Sequence, residues 1–323
     1  MQTSFLYYTI MKTIYPDYYK DFKCIADKCR HNCCIGWEID IDEKSLEFYQ
    51  NVQGDFGKKL LKNISLDGTP HFVLAENERC PFLNCKNLCD IYTELGENKL
   101  CQICSDHPRF YNELDDRTEA GLGLCCEEVA RLIITKKEPV KLLGEEENPE
   151  GLVLLRKKVF EVIQNRCLSL SERIESLSAL LKTPVPSFNV LKCAEVFESL
   201  ERLDENWTDL LRKLKSDYEK ADEEAFADFI EPRETEYEQF IVYLIYRHAS
   251  KAEFFEDFVL YTIFSILSYE LIYAMGAVIF AEKGDFTVDD QLEVMRLFSS
   301  EIEYSDENHD IILEKLENEI FSY

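Results

Sequence analysis

Beyond Glu138 the apolar residues recur at three- and four-residue steps through most of the chain, a spacing that places them on one face of a helix. Residues 152–181 read as a pair of amphipathic helices broken near Leu168. CAEVFESLERL, WTDLLRKLKSDYEK and ADEEAFADFI follow the same period, separated by breakers such as TPVPSF. Residues 237–281 are more apolar and are expected to supply the central helices of this half. Within them, 258–281 is long enough to cross a bilayer, but Glu270 stands near its centre and the charged AEFFEDF precedes it. A carboxylate is costly in hydrocarbon, so a buried helix and no membrane span are expected. Thr287 reads as an N-cap, with Asp290 at the third helical position in place of the usual Glu or Gln.

The first part of the chain patterns differently. WEIDID (37–42) alternates as a strand does, EKSLEFYQNV and DFGKKLLKNI read as short helices, and HFVLAENERCPF as a strand and turn. The stretch KKEPVKLLGEEENPEG, with its prolines, glycines and acidic run, is the expected boundary. It divides the chain into 1–137 and 138–323. Met11 begins a plausible start, which makes the first ten residues an upstream extension of little weight. The expected fold class is mainly α: a cysteine-rich, metal-stapled N-terminal module with short strands, followed by an all-helical C-terminal region.

Cysteine changes this picture most. Eleven of the 13 cysteines fall between Cys24 and Cys126. A chain of 323 residues needs no covalent staples to make a core. The opening sequence lacks the basic and apolar regions of a secretory signal, so a cytoplasmic protein with a local thiol site is expected rather than a disulfide framework. Cys24-x4-Cys29-x3-Cys33-Cys34 is echoed by Cys80-x4-Cys85-x3-Cys89, and then come Cys101-x2-Cys104 and Cys125-Cys126. Four thiolates suffice for a structural zinc or an iron–sulfur cluster, and the Cys101-x2-Cys104 clip is the most conventional part of the set. No histidine stands at zinc-finger spacing, and thiolate softness alone allows both metals. The radical-type C-x3-C-x2-C signature is absent, because Gly36 stands where its third cysteine would be. Cys167 and Cys193 read as buried small apolar residues on helices.

Charge removes one function class. Asp and Glu outnumber Lys and Arg, 63 to 36, and the net charge is -27, with no basic stripe to hold nucleic acid. A lysine-bearing protein partner suits such a chain better.

FKCIADKCRHNCCIGWEIDID, ERCPFLNCKNLCDIYTELGENKLCQICSDHPRFY and CCEEVARLI, in that order, resemble the flagellin lysine-N-methylase (FliB-type) family, itself related to YkgJ-like zinc/iron-chelating cysteine modules. RKKVFEVIQNRCLSLSERI and YLIYRHASKAEFFEDF resemble its helical half. Matched by position, the family's recurrent cysteines fall on Cys24, Cys29, Cys33, Cys34, Cys80, Cys89, Cys101, Cys104 and Cys126. Cys85 and Cys125 are extras, and Cys126-Glu127-Glu128 stands where the family more often has Cys-Pro-Glu. The resemblance implies methylation of flagellin lysines with S-adenosylmethionine as the small-molecule methyl donor. It also implies an iron–sulfur cluster, of the 4Fe-4S kind, on some of these thiolates, with zinc as the alternative.

No Gly-rich nucleoside cradle is present. Gly121-Leu-Gly123 is too short for one and marks a bend. Groups beside the cysteines that can orient or deprotonate a lysine amine are Asp90, Tyr92, His107 and Glu127, and Arg109 can steady a ligand carboxylate such as that of the methyl donor. For Asp90 and Glu127 the plainer role is a helix cap or a hydrogen bond steadying a cysteine loop. His107, before Pro108, is expected to be extended, and Trp37 to be core. His71, His248 and His309 are scattered and carry no signal. Two other functions stay open from the residues alone. One is a non-catalytic metal module with a helical interaction platform, the other a thiol-based redox or metal-trafficking protein.

Overall fold

Why the chain is mainly helical is visible in its caps and faces. A computed structural model describes residues 12–321; the proposed upstream extension lies outside the described residues. In chain order the strands are β1 (Lys12–Pro16), β2 (Ile64–Ser65), β3 (His71–Phe72), β4 (Arg109–Glu113), β5 (Arg117–Leu122) and β6 (Leu142–Leu143). The early helices are α1 (Glu43–Asn51), α2 (Gly54–Lys62), α3 (Asp90–Leu95), α4 (Gln102–Asp106) and α5 (Glu127–Ile134). Then come α6 (Gly151–Ile163), α7 (Leu170–Leu181), α8 (Val190–Glu198), α9 (Glu205–Asp217), α10 (Glu223–Ile230), α11 (Glu234–Ala249), α12 (Phe255–Lys283), α13 (Val288–Phe298) and α14 (Asp306–Phe321). The break expected near Leu168 is the turn between α6 and α7, closed by a capping box of Ser169 and Glu172. Thr287 caps α13 as expected, its hydroxyl accepting the Asp290 N–H while the Asp290 carboxylate accepts the Thr287 N–H.

The chain forms two units. Among the described residues, one comprises 12–22, Tyr111–Cys125 and 129–321; the other comprises Lys23–Phe110 and Cys126–Glu128. This division differs from the expected break after 137, because the first strand is drafted into the helical unit. β1 runs parallel to β5, with Lys12 opposite Arg117, and antiparallel to β6, in a sheet ordered β4-β5-β1-β6. The Tyr246 hydroxyl of α11 lies 3.0 Å from the Ile14 carbonyl and 2.9 Å from that of Ala120, fastening helix to strands. Nothing local in the sequence announces such a pairing, since parallel strands meet only across long separations.

The helical unit is organised on α11 and α12. Almost every side chain of α11 is buried, as expected of a helix with apolar residues all round. Among the described residues α12 is the helix long and apolar enough to cross a membrane, yet most of it is buried inside the unit. It packs against α8, α9, α10, α11, α13 and α14.

The cysteine unit has a smaller apolar core of Ile39, Ile41, Tyr49, Leu60, Phe72, Phe82, Leu83 and Ile91. WEIDID does not form a strand. Its backbone makes one isolated bridge, Asp40 to His71, because the neighbouring segments are too short to pair along it. The helices expected at EKSLEFYQNV and DFGKKLLKNI are α1 and α2.

Candidate metal centre

Backbone ties draw the cysteine segments together within their unit. The Cys80 N–H donates to the Cys34 carbonyl at 2.8 Å and the Gly36 N–H to Glu78 at 3.1 Å, laying the first cysteine arm beside the second. The Asp90 N–H donates to Phe82 at 2.7 Å, folding the 80–89 loop back on itself. Asp42, which caps α1, also accepts the Gln102 N–H at 2.7 Å, and the Tyr49 hydroxyl donates to the Lys99 carbonyl at 2.7 Å, bringing in the Cys101-x2-Cys104 clip.

Cys80 and Cys101 are consequently buried in the apolar core, with Cys34, Cys89 and Cys104 packed against it. These five thiols sense one another. The Cys34 thiol is pushed well up by its hydrogen bond with Cys33, by burial and by the neighbouring Cys80 and Cys89. Cys104 is raised by its hydrogen bond with Cys101, by burial, and by Cys34 and Cys80. Burial raises Cys80 to about 11, and nearby Cys89 and Cys101 add to it. Ionising several sulfurs here leaves like charges side by side in a poor solvent, which a bound cation would reverse.

The remaining thiols lie further out. Cys24 and Cys33 are exposed and Cys29 is half-buried. The Cys33 thiol is lowered to about 4, first by the hydrogen bond with Cys34 and then, against the effect of burial, by His107, whose ring also lies 6.0 Å from that of Trp37. Cys29 sits with its sulfur 3.2 Å from the His31 carbonyl and 3.9 Å from a Glu127 oxygen, and burial raises it to about 11. Glu127 takes the plainer role: it accepts the Arg30 backbone N–H and side chain, each at 2.9 Å, and so ties the Cys126 segment to the first cysteine arm. Burial opposes its ionisation, but those Arg30 bonds prevail and lower its pKa. Asp90 likewise steadies a loop, accepting Lys59 and Asn84 side chains. Tyr92 is exposed, and Arg109 reaches the Ser105 carbonyl at 3.4 Å. His107 is extended before Pro108, as expected.

All nine cysteines singled out by the family likeness therefore lie in this unit, while Cys125 lies in the helical unit, where its thiol pairs with the Tyr304 hydroxyl. Cys85 and Cys167 are exposed. Cys167 corrects the expectation of a buried helical residue: it occupies the turn between α6 and α7, where the chain reverses at the surface. Among the described residues no three His, Cys, Asp or Glu side chains already stand in metal-coordinating geometry. The donor chemistry nonetheless fits a soft cation, with five free thiols in or against one core, two of which, Cys101 and Cys104, share a hydrogen bond.

Sequence reasoning missed a second polar cluster, in the helical unit. Glu303, fully buried, receives Arg247 Nε at 3.1 Å, His248 Nε2 at 3.0 Å and the Tyr243 hydroxyl at 3.1 Å. The His248 and His309 rings stack at 4.7 Å, and the Arg247 guanidinium lies 4.8 Å over the Tyr304 ring. Burial works to raise Glu303, but the charges of Arg247 and His248 win and hold it at about 2. Gly123 has no side chain because a Cβ there would strike the Tyr304 hydroxyl, which accounts for the glycine bend. No local pattern announced it, because its members, Tyr243, Arg247 and His248 on one side and Glu303 and His309 on the other, lie far apart in the chain.

Comparison with known proteins finds the same family name in the second half of the chain. Residues 175–323 match the model of the FliB lysine N-methylase C-terminal domain. A lysine-N-methylase of Salmonella choleraesuis is 28% identical over 135 residues, 39% of this chain and 33% of its own length. The lysine-N-methylase of Salmonella typhimurium matches over the same shares at 28%. The flagellar biosynthetic protein FliU of Salmonella muenchen is 27% identical over 150 residues, 44% of this chain and 88% of its own. The matched stretch thus spans 33% of the length of the two lysine-N-methylases. No solved structure matches the chain. Residues 175–323 are thus similar to the C-terminal domain of the FliB-type lysine-N-methylases.

Proposed function

We propose that the protein is a cytoplasmic protein-lysine N-methyltransferase that acts on flagellin with S-adenosylmethionine, and that its cysteine unit holds an iron–sulfur cluster. The observation that carries this reading is the match of residues 175–323 to the lysine N-methylase C-terminal domain. The names of the relatives, two lysine-N-methylases and a flagellar biosynthetic protein, support the reaction and the substrate.

Methyl transfer from a sulfonium to an amine needs a neutral ε-amine, exclusion of water and alignment of donor with acceptor. Cys34, Cys80, Cys89, Cys101 and Cys104 are the residues that would supply the cluster's ligands, because they share the buried core of their unit. A bound cluster or zinc ion would supply positive charge that keeps these thiolates ionised. Asp42 and Asp90 hold the surrounding loops by accepting backbone and side-chain donors, and so keep the sulfurs facing one core. The acidic chain favours approach of a lysine-bearing partner.

The test is incubation of anaerobically purified protein with labelled S-adenosylmethionine and flagellin, followed by peptide mass spectrometry. Methyl-sized mass increments on flagellin lysines are expected. Their absence, with the metal centre shown to be intact, would contradict the reading.

A further inference from the structure

The helical unit holds a carboxylate that nothing in the unit neutralises. Glu270, on α12, is half-buried, and among the described residues it has neither an ion pair nor a hydrogen bond; burial alone pushes its carboxyl up to about 7. Around it stand aromatic rings with no cation of their own. Tyr269 and Tyr273 lie on the same helix with centroids 5.9 Å apart, and Tyr237 of α11 packs behind them at 5.5 and 5.4 Å. Tyr218, at the turn after α9, donates a hydrogen bond to Glu223 of α10 and also lies close enough to feel Glu270 and Tyr273, so a second carboxylate stands beside the rings. Tyr237 is fully buried and its hydroxyl has no hydrogen-bond partner.

Two features thus wait for the same kind of group. A lone carboxylate in a poorly solvated position requires a positive charge, and the negative faces of tyrosine rings attract an ammonium more strongly where water is scarce. An alkylammonium suits the place: its charge meets the carboxylate while its methylenes lie along the rings.

We propose that Glu270, with the rings of Tyr218, Tyr269 and Tyr273, is the docking site for the side-chain ammonium of a substrate lysine. Tyr237 forms the floor against which Tyr269 and Tyr273 are held. The site lies in the segment matched by the lysine N-methylase domain model, and the inference rests on the proposed activity for its choice of ligand.

The experiment needs neither methyl donor nor cluster turnover. Saturation-transfer NMR on the full chain, with a capped Gly-Lys-Gly peptide as the probe, should show transfer to the lysine δ and ε protons. An otherwise identical norleucine peptide should show little. Glu270→Gln should weaken binding about tenfold and Tyr273→Ala by a similar factor, while Tyr273→Phe retains it. Glu317→Gln, an exposed site on α14, should change nothing. Circular dichroism and melting of each variant report folding separately. Equal binding of the norleucine peptide, undiminished binding by folded Glu270→Gln, or no transfer in the native protein would overturn the proposal. Lysine-selective binding lost in Glu270→Gln would uphold it even if flagellin acquired no methyl groups. Methylation undisturbed by Glu270→Gln would sink this site and leave the proposed activity standing.

Discussion

The two units solve the same problem, a polar cluster inside a protein, in opposite ways. In the helical unit Glu303 is fully buried, yet Arg247, His248 and Tyr243 satisfy it within a thick apolar surround of α11, α12 and α13. In the cysteine unit the buried groups are thiols, of which Cys80 and Cys104 are raised by burial and by their neighbours while Cys101 is lowered by its hydrogen bond with Cys104, over a core of eight other buried hydrophobic residues and helices of nine residues or fewer. The Glu303 carboxylate is fully partnered, although His248 Nδ1 and His309 Nε2 beside it are buried without a hydrogen-bond partner. The second cluster is a set of donors that a bound cation would stabilise, and on the proposed function its stability should depend on that cation.

The largest expected effect follows from that difference. Cys101→Ser or Cys80→Ser should abolish metal binding and unfold the cysteine unit, a loss of about 4 kcal/mol or more in a domain whose folding is coupled to its ligand. Cys167→Ser should leave both metal content and melting unchanged, because that thiol is exposed in a turn. Metal analysis with denaturation monitored by circular dichroism checks both; equal losses from the two variants would place the ligands wrongly.

Next in size is Glu303→Ala, which strands Arg247 in the helical core and should cost about 3–5 kcal/mol without touching metal content. The same carboxylate gives a pH signature. Its folded pKa of about 2 lies below the ordinary value of 4.5, so its contribution is present above pH 4.5 and is lost as pH falls toward 2. The native protein should lose about 3 kcal/mol over that interval, and Glu303→Gln, already weakened, should show a flatter acid limb. Parallel acid limbs would remove Glu303 from the account.

Smaller effects sharpen the helical side alone. Thr287→Ala removes the reciprocal cap of α13 and should cost about 1 kcal/mol, read as a melting shift of a few degrees. Glu270→Gln should stabilise by less than about 1 kcal/mol after allowance for the solvent that reaches the group. The sign depends on pH: the folded pKa near 7 is raised above the unfolded value, so the native carboxyl is well tolerated below pH 4.5 and increasingly costly as pH rises through 7. The variant's advantage should therefore appear at pH 8 and vanish at pH 4. An advantage independent of pH would mean the carboxylate is not short of a partner.

How much of this was legible in the sequence follows from the range of the interactions. The helices from α6 to α13, the turn after α6 and the Thr287 cap are local, set by period and by side chains three residues apart. The pairing of Lys12 with Arg117 is not, and it moved the unit boundary away from 137. WEIDID had the alternation of a strand but no partner of sufficient length. Spacing pointed to a shared site for the cysteines, and all but two of the eleven N-terminal ones recur in the family likeness. Which of them share a core became visible only where Cys80 meets Cys34 across the backbone. His248 and His309 looked scattered because their stacking is made by the packing of α11 against α14.

Iron and zinc analysis of anaerobically purified protein, with its visible absorption, before and after Cys80→Ser and Cys101→Ser, tests the central claim most directly. The account predicts stoichiometric iron and broad visible absorption in the native protein, both lost in either variant together with folding of the cysteine unit. A colourless, metal-free protein that melts at the same temperature with and without chelator, and is unmoved by either substitution, would contradict it.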